Sequence, residues 1–288
     1  MKNFILASRP KTLLAGIIPP LVSYSYYMSG NRNPQIFYLF LSVFGALFIQ
    51  LATNFFNDVI DYEKGADKCR IGPTRVSSAG LVDIKLVKKW AMTCVFLGAL
   101  CGIPIIMRGG IPFLLLGLLS LYLTYGYTGG KLSLAYRGLG EIFVFIFFGL
   151  FSVMGSFYLF ALNLNIGAFV LSCVFGLLAT TFICINNLRD RETDKEVGKM
   201  TLATKLSEKN YRLLVVMTIF TPYLLLHYFR DLTMIYWVFI SIIPALKLSK
   251  IALKNKGGDL NEGLKFSGIH LVVFSGLLGF TFIYESFL

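Results

Sequence analysis

Asn54-Phe55-Phe56-Asn57-Asp58-Val59-Ile60-Asp61, running on through Glu63 and Asp67 to Gly72-Pro73-Thr74-Arg75, follows directly on the apolar run Ile36 to Ala52. That run is long enough to enter a bilayer. Acids at the end of a membrane helix are costly to place and point to a function. The arrangement recurs once: Asn186-Asn187-Leu188-Arg189-Asp190-Arg191-Glu192-Thr193-Asp194, then Glu196, follows the apolar run Gly167 to Ile185. Of only 15 Asp and Glu in the chain, these two windows hold Asp58, Asp61, Glu63, Asp67, Asp190, Glu192, Asp194 and Glu196. The remainder reads as a scaffold that brings the two windows together.

With 56% hydrophobic and 15% charged residues, the composition is that of a polytopic, all-α membrane protein and excludes a soluble domain. The excess of 27 basic over 15 acidic residues does not indicate a nucleic-acid binder. The basic residues sit in short loops between apolar runs, where the charge rule of membrane proteins accounts for them. No apolar run followed by a small-residue cleavage site precedes Arg9, so no cleaved signal peptide is expected. The five cysteines include no C-x-x-C pair, and neither a disulfide framework nor a zinc site is expected.

The punctuation divides the chain into about nine spans of roughly 17–25 residues, the length a bilayer core requires. Their approximate limits are 11–29, 35–57, 86–107, 111–128, 139–160, 166–188, 211–229, 231–249 and 265–286. Pro19-Pro20 predicts a kink or an unwound turn in the first. With the N-terminus in the cytoplasm, every Lys and Arg except Arg32, Arg108 and Arg230 falls on the inner side, which sets the orientation by the positive-inside rule. Both acidic windows then face the cytoplasm. They close the second and the sixth span, four spans apart. This suggests one membrane domain over 1–288, built from two related four-helix units (about 11–128 and 139–249) and a ninth helix, with cytoplasmic cap loops around a central cavity.

If the helix continues through each window, Asn54, Asp58 and Asp61 fall at i, i+4, i+7, and Asn187, Asp190 and Asp194 at i, i+3, i+7. Either spacing aligns three oxygen ligands on one face. Carboxylate and amide oxygens without His or Cys suit a hard divalent cation, above all Mg²⁺, which also takes phosphate oxygens. Facing carboxylate clusters would repel each other unless cations stood between them. Nearby are Arg9, Lys11, Lys68, Arg70, Arg75, Arg137, Arg189 and Lys199. Metal-binding acids with surplus basic residues match the needs of a diphosphate. A solvated rim of surface ion pairs is the plainer explanation for one such window, but it gives no reason for two with matching spacing.

Asn54-x-x-x-Asp58-x-x-Asp61 with Gly65-Ala66-Asp67, then Asn187-x-x-Asp190-x-x-x-Asp194 with Gly198-Lys199-x-Thr201-Leu202, resembles the UbiA superfamily of intramembrane prenyltransferases. Within it the chain is most similar to the menaquinone (MenA) branch, the 1,4-dihydroxy-2-naphthoate polyprenyltransferases. Ser8-Arg9-Pro10-Lys11-Thr12-Leu13, Gly72-Pro73-x-Arg75, Tyr136-Arg137-Gly138-Leu139-Gly140-Glu141 and Phe147-Phe148-Gly149-x-x-Ser152-Val153-Met154-Gly155-Ser156 carry that likeness, which runs from about residue 7 to 206. The second acid of the first motif follows Asp58 by three residues rather than four, which leaves open whether Asp61, Glu63 or Asp67 takes the metal.

The resemblance implies Mg²⁺-dependent alkyl transfer from an allylic polyprenyl diphosphate to 1,4-dihydroxy-2-naphthoate with loss of CO₂. It implies two Mg²⁺ held by Asp58, Asp61, Asp190 and Asp194, assisted by Asn54 and Asn187. The substrate-binding residues it suggests begin with Arg9, Lys11, Asn57, Asn186, Arg189 and Lys199. Asp67, Lys68 and Arg75 would clamp diphosphate from a loop jointed at Gly65, Gly72 and Gly80. Arg137 with Glu141 would orient the acceptor, unless the two form a plain i,i+4 surface pair. Tyr122, Tyr125 and Tyr127, with Phe55 and Phe56, are candidates to shelter the allylic cation. The apolar tail would leave sideways into lipid. Alternatives are another acceptor, such as 4-hydroxybenzoate, and a divalent-cation transporter. The transporter would need acids on the outer side too, where only Asp231 and Glu285 occur.

Overall fold

An apolar segment in lipid must satisfy its backbone internally, so long apolar runs punctuated by Gly, Pro and charge fold as helices. The computed structural model describes residues 2–31, 33–65, 72–130 and 133–288, and among these residues there is no strand. In chain order the elements are α1 (Lys2–Ser8), α2 (Pro10–Ser29), α3 (Ile36–Glu63), α4 (Ile84–Gly109), α5 (Ile111–Gly126), α6 (Gly140–Ala161) and α7 (Ile166–Arg189). There follow the short helices α8 (Arg191–Glu196) and α9 (Leu202–Lys205), then α10 (Glu208–Phe229), α11 (Ile235–Lys254) and α12 (Gly257–Glu285).

Seven of these, α3, α4, α6, α7, α10, α11 and α12, are long and apolar enough to cross a membrane. The other two expected spans are helical but weaker by that measure. α5 has 16 residues, and α2 dilutes its apolar content with Pro19, Pro20, Tyr24, Tyr26 and Tyr27. A kink or an unwound turn was expected at Pro19-Pro20; α2 stays helical through both prolines, so there is no unwound turn. α1 was not foreseen. α3 extends to Glu63 rather than ending near 57, so the first acidic window is helical from Asn54 to Glu63.

α7 is the axis of the fold, with 72% of its apolar window buried. Small residues let α6 approach it closely, as membrane helix contacts favour. A Cβ added at Gly149 would lie 2.5 Å from the Ser172 carbonyl oxygen and 2.7 Å from Gly176 Cα. The stretch that makes this contact, Phe145–Met154 of α6, winds as a π-helix. Such wide turns cluster at functional sites. α12 packs on both α2 and α7, and the largest core, centred on Phe175, Phe182, Tyr211, Phe274 and Phe282, lies in this half of the molecule. His270 is buried there with Nε2 2.9 Å from Tyr223 Oη. Cys94, Cys101, Cys173 and Cys184 are free thiols; Cys69 lies outside the described residues.

Candidate active site

A helix turns about 100° per residue, so positions 50, 54, 57 and 61 make one stripe. In α3 these are Gln50, Asn54, Asn57 and Asp61, and all four line a cavity of about 600 Å³. α7 supplies Asn186, Asn187, Arg189 and Asp190 to the same cavity. Arg9, Thr12, Arg75, Tyr127, Thr128, Glu141, Lys199 and Thr201 complete the polar wall, while Leu114, Leu118, Leu121, Phe147, Phe148 and Phe151 furnish apolar lining. The two acidic windows therefore meet at one cavity.

Asp61 is the best-held carboxylate. Its Oδ2 stands 2.6 Å from Arg75 Nη1, and its Oδ1 accepts from Tyr136 Oη at 2.9 Å. Arg75 also donates to the Asn57 carbonyl at 2.8 Å. The Tyr136 ring lies between two ammonium groups, Lys64 at 4.0 Å and Lys199 at 5.6 Å from its centroid. Burial, and then the charge of Asp61, raise the Tyr136 hydroxyl above the ordinary phenol range, so it serves Asp61 as a neutral donor. Burial lowers the Lys64 ammonium.

Asp58 does not line the cavity. It is 1% exposed, and its carboxylate accepts the Ser77 amide at 2.9 Å and the Val76 amide at 3.2 Å. The turn that carries Arg75 doubles back on α3 at this point, and its buried amides need acceptors. Asp58 thus anchors the segment that presents Arg75 to Asp61. Asn54 lines the cavity but is also a latch, since its Nδ2 donates to the Ser8 carbonyl at 2.8 Å and to Thr12 Oγ1 at 3.1 Å. Those bonds fix the corner where Arg9 adopts a left-handed φ of 51°, a strained conformation that tends to mark functional positions. Asn57 Oδ1 accepts from Thr128 Oγ1.

In the second window, α7 ends at Arg189 and α8 starts at Arg191, so Asp190 sits at the break. Arg189, 3% exposed, grips Asp190 with two parallel bonds of 2.7 Å. Gly198 takes a φ of 70° and turns the chain so that Lys199 folds back on Asp194, with Nζ 3.3 Å from Oδ1. Asp194 itself does not line the cavity, and its Oδ2 is buried with no hydrogen-bond partner among the described residues. Burial first, then the charge of Asp190, push the Asp194 carboxyl up to about 6, against the pull of Lys199.

Several expected residues fall elsewhere. Glu63 forms an exposed pair with Lys88 at 2.7 Å, and Glu192 pairs at the surface with Arg191. Lys11 is exposed, and neither it nor Arg137 lines the cavity. Tyr122 and Tyr125 are 56% and 48% exposed on the outward side of α5 and do not reach the cavity, whereas Tyr127 does. Glu141 is 4% exposed, so a surface pair does not describe it: its Oε1 accepts from Asn187 Nδ2 at 2.8 Å and from Tyr211 Oη at 2.6 Å. Asp67, Lys68 and Arg70 lie outside the described residues. Tyr136 and Tyr211 were not anticipated. Only the acidic partner of each carries a sequence signal, because the contacts join segments distant in the chain.

The model of the UbiA prenyltransferase family matches residues 17–277. The chain belongs to that family. It is therefore an integral, multi-pass membrane protein with seven helices suited to crossing. Among curated UbiA relatives, it is 38% identical over 212 residues to the 1,4-dihydroxy-2-naphthoate octaprenyltransferase of Escherichia coli (strain K12), covering 71% of this chain and 68% of that one. It is 30% identical over 212 residues to the enzyme of the same name from Mycobacterium tuberculosis, covering 74% and 72%. Among solved structures, a UbiA homolog from Archaeoglobus fulgidus bound to DMAPP and Mg²⁺ superposes with a TM-score of 0.67 at 16% identity over 98% of this chain and 99% of that one. The apo UbiA homolog from Aeropyrum pernix K1 gives 0.70 at 13% identity over 94% and 97%. These two likenesses concern the fold.

Proposed function

We propose that the chain transfers a polyprenyl group from an allylic diphosphate to 1,4-dihydroxy-2-naphthoate with loss of CO₂, giving demethylmenaquinol for menaquinone biosynthesis. The observation that carries the reading is the single cavity lined by Asn57, Asp61 and Arg75 from one window and Asn187, Asp190 and Lys199 from the other, with an apolar wall beside them. The named activity of relatives up to 38% identical supports the acceptor. We read nine transmembrane helices as two four-helix units and a ninth, with both windows on the cytoplasmic side of a bacterial-type inner membrane, as the loop charges indicate.

Mg²⁺ is proposed as the cofactor, two ions by the resemblance. The donor chemistry fits: all oxygen, from Asn57, Asp61 and Asp190, which line the cavity, and from Asp194, which does not line it but pairs with the lining Lys199 and keeps a buried Oδ2 with no hydrogen bond among the described residues. Among the described residues no three acid, His or Cys side chains stand close enough to cage a metal alone, so diphosphate oxygens and water would complete the shell. Bound there, the metal would supply charge neutralisation for the leaving diphosphate. Asp61 and Asp194 would hold it. Arg75, Lys199 and Arg189, each already beside a carboxylate, would take the remaining diphosphate charge. The apolar wall of Phe147, Phe148 and Phe151 would help keep water from the allylic cation.

Purified protein given a polyprenyl diphosphate, Mg²⁺ and both 1,4-dihydroxy-2-naphthoate and 4-hydroxybenzoate should form prenylated naphthoquinol with release of CO₂. EDTA should abolish it. Product from the benzoate alone would refute the acceptor while keeping the chemistry. No product from either, with tight Mg²⁺ binding, would favour transport.

A further inference from the structure

Glu141 is a buried carboxylate with half of its hydrogen-bonding capacity unused. Oε1 receives both Asn187 Nδ2 and Tyr211 Oη. Oε2 is enclosed and, among the described residues, has no hydrogen-bond partner. An unpartnered buried carboxylate oxygen is expensive, and native proteins keep few. Such an atom is retained where a ligand completes it. Glu141 lines the cavity at the start of α6, with Oε1 committed to neighbouring helices, so Oε2 is the oxygen left for a cavity occupant. The depth suits the acceptor rather than the diphosphate. Asn187, the partner of Glu141, lies three residues before Asp190 on α7, about 4.5 Å along the axis from the charged end. Beside it, the bare Cα of Gly140 admits the Tyr127 hydroxyl, which a Cβ there would meet at 3.0 Å.

We propose that Glu141 Oε2 is the recognition point for a hydroxyl of the aromatic acceptor, held in place by Asn187 and Tyr211. The proposal rests on the prenyl-transfer reading and assigns within it the chemical group that selects a hydroxyarene. A hydrogen bond from ring hydroxyl to carboxylate strengthens as the ring gives up electron density to the allylic carbon. It therefore favours the transition state over the bound substrate. It also fixes which ring carbon faces the prenyl donor, because the other face of Glu141 is closed by α7 and α10.

The test is a cycle of one substitution and one chemical change, run on purified full-length protein in lipid nanodiscs. Wild type and Glu141→Gln are assayed with 1,4-dihydroxy-2-naphthoate and with its two monomethyl ethers. An unreactive prenyl thiodiphosphate with Mg²⁺ reports the donor site. Glu141→Gln should lower kcat/KM for the free acceptor about 10- to 100-fold, the range for a charged hydrogen bond, with thiodiphosphate affinity unchanged. One ether should lose a similar factor on wild type, and on that ether Glu141→Gln should cost nothing more. Equal activity of Glu141→Gln and wild type, or the same loss on both ethers as on the free acceptor, overturns the proposal.

If Glu141→Gln no longer binds thiodiphosphate, Tyr211→Phe serves in its place. It leaves the carboxylate but frees one donor from Oε1, and the expected loss is several-fold, again absent on the responsive ether; additive losses refute. A wild type that ignores naphthoate but prenylates another hydroxyaryl acid refutes the acceptor assignment alone, and the same cycle with that acid and its ether then decides Glu141. A wild type that prenylates no hydroxyarene overturns both.

Discussion

Asp58 and Asp61 stand three residues apart and are given different work by the structure, and exchanging each for Asn separates the two. Asp58 accepts two buried amides, from Val76 and Ser77, while Asp61 faces the cavity between Arg75 and Tyr136. In Asp58→Asn one amide N–H would meet an NH₂ group instead of an oxygen, and the surviving bond would lose its charge assistance. The cost is about 1.5–3 kcal/mol, that of one hydrogen bond to a charged group. Asp58→Ala would strand both amides, at about 1–3 kcal/mol each. Thermal unfolding in detergent should therefore drop for both, more for the Ala variant, while Mg²⁺-dependent binding of a prenyl thiodiphosphate persists at the wild-type order of magnitude. Asp61→Asn should behave in the opposite way. It keeps the donor from Tyr136 and the Arg75 bond to the Asn57 carbonyl, but loses more than the roughly 10- to 100-fold in metal affinity typical of an outer-shell partner. An Asp58→Asn protein that melts like wild type but no longer binds metal would refute this division and restore Asp58 as a direct ligand.

The pH response should follow Asp194. Its carboxyl is raised from 3.8 to about 6, so the folded chain holds a proton there that the unfolded chain has already released. Stability should thus fall as pH rises from about 4 through 6, by at most about 3 kcal/mol at 1.36 kcal/mol per unit. Mg²⁺ should recover it only above pH 6, giving a larger metal-induced rise in Tm at pH 7.5 than at pH 5.5; a rise independent of pH, or one that survives Asp194→Asn, would contradict the assignment. Tyr136→Phe removes one donor from Asp61 but leaves a ring for Lys64 and Lys199. It should cost about 1 kcal/mol, seen as a several-fold rise in KM for the prenyl diphosphate; unchanged kinetics would remove Tyr136 from the site. Gly149→Ala drives a methyl into the Ser172 carbonyl and Gly176, and overpacking of this kind costs about 1–3 kcal/mol. Thermal unfolding should show it, beside Gly276→Ala, whose Cβ meets nothing within 4 Å and which should be neutral.

The helical architecture and the pairing of the windows were open to reading because both follow from one-dimensional patterns. Apolar run length gives spans, and repetition of Asn-rich acidic ends after Ala52 and Ile185 marks the meeting point. What the pattern does not contain is rotation. Asn54, Asp58 and Asp61 are close enough in helical phase to share a face, and so are Asn54, Asn57 and Asp61. Only the return of the 72–83 segment, bringing the Val76 and Ser77 amides to one side, turns Asp58 away from the cavity. Tyr122, Tyr125 and Tyr127 likewise differ by rotation alone, and α5 presents the first two outward. Glu141 looked ambiguous because its local partner, Arg137, is four residues away, while Asn187 and Tyr211, which hold it, are 46 and 70 residues distant.

Asp61, Asp190 and Asp194 each rest beside a cation, namely Arg75, Arg189 and Lys199. Left without cations, neighbouring carboxylates would repel and take up protons; after burial, the charge of Asp190 acts on Asp194 in that direction. The basic residues therefore balance the carboxylate charge at this site. On the proposed reading the same residues have a second duty. When Asp61 and Asp194 turn to a metal, Arg75 and Lys199 give up these carboxylate contacts at the moment a diphosphate needs donors. Metal and diphosphate should then each bind more tightly when the other is present, since each takes up the charge that the other releases from an ion pair. Measured separately and together by calorimetry, Mg²⁺ and the prenyl thiodiphosphate should show this coupling in wild type. Arg75→Gln should diminish it, because Gln has no charge to release. Independent binding in wild type would mean that the ion pairs persist in the loaded site and that the diphosphate is held by other groups.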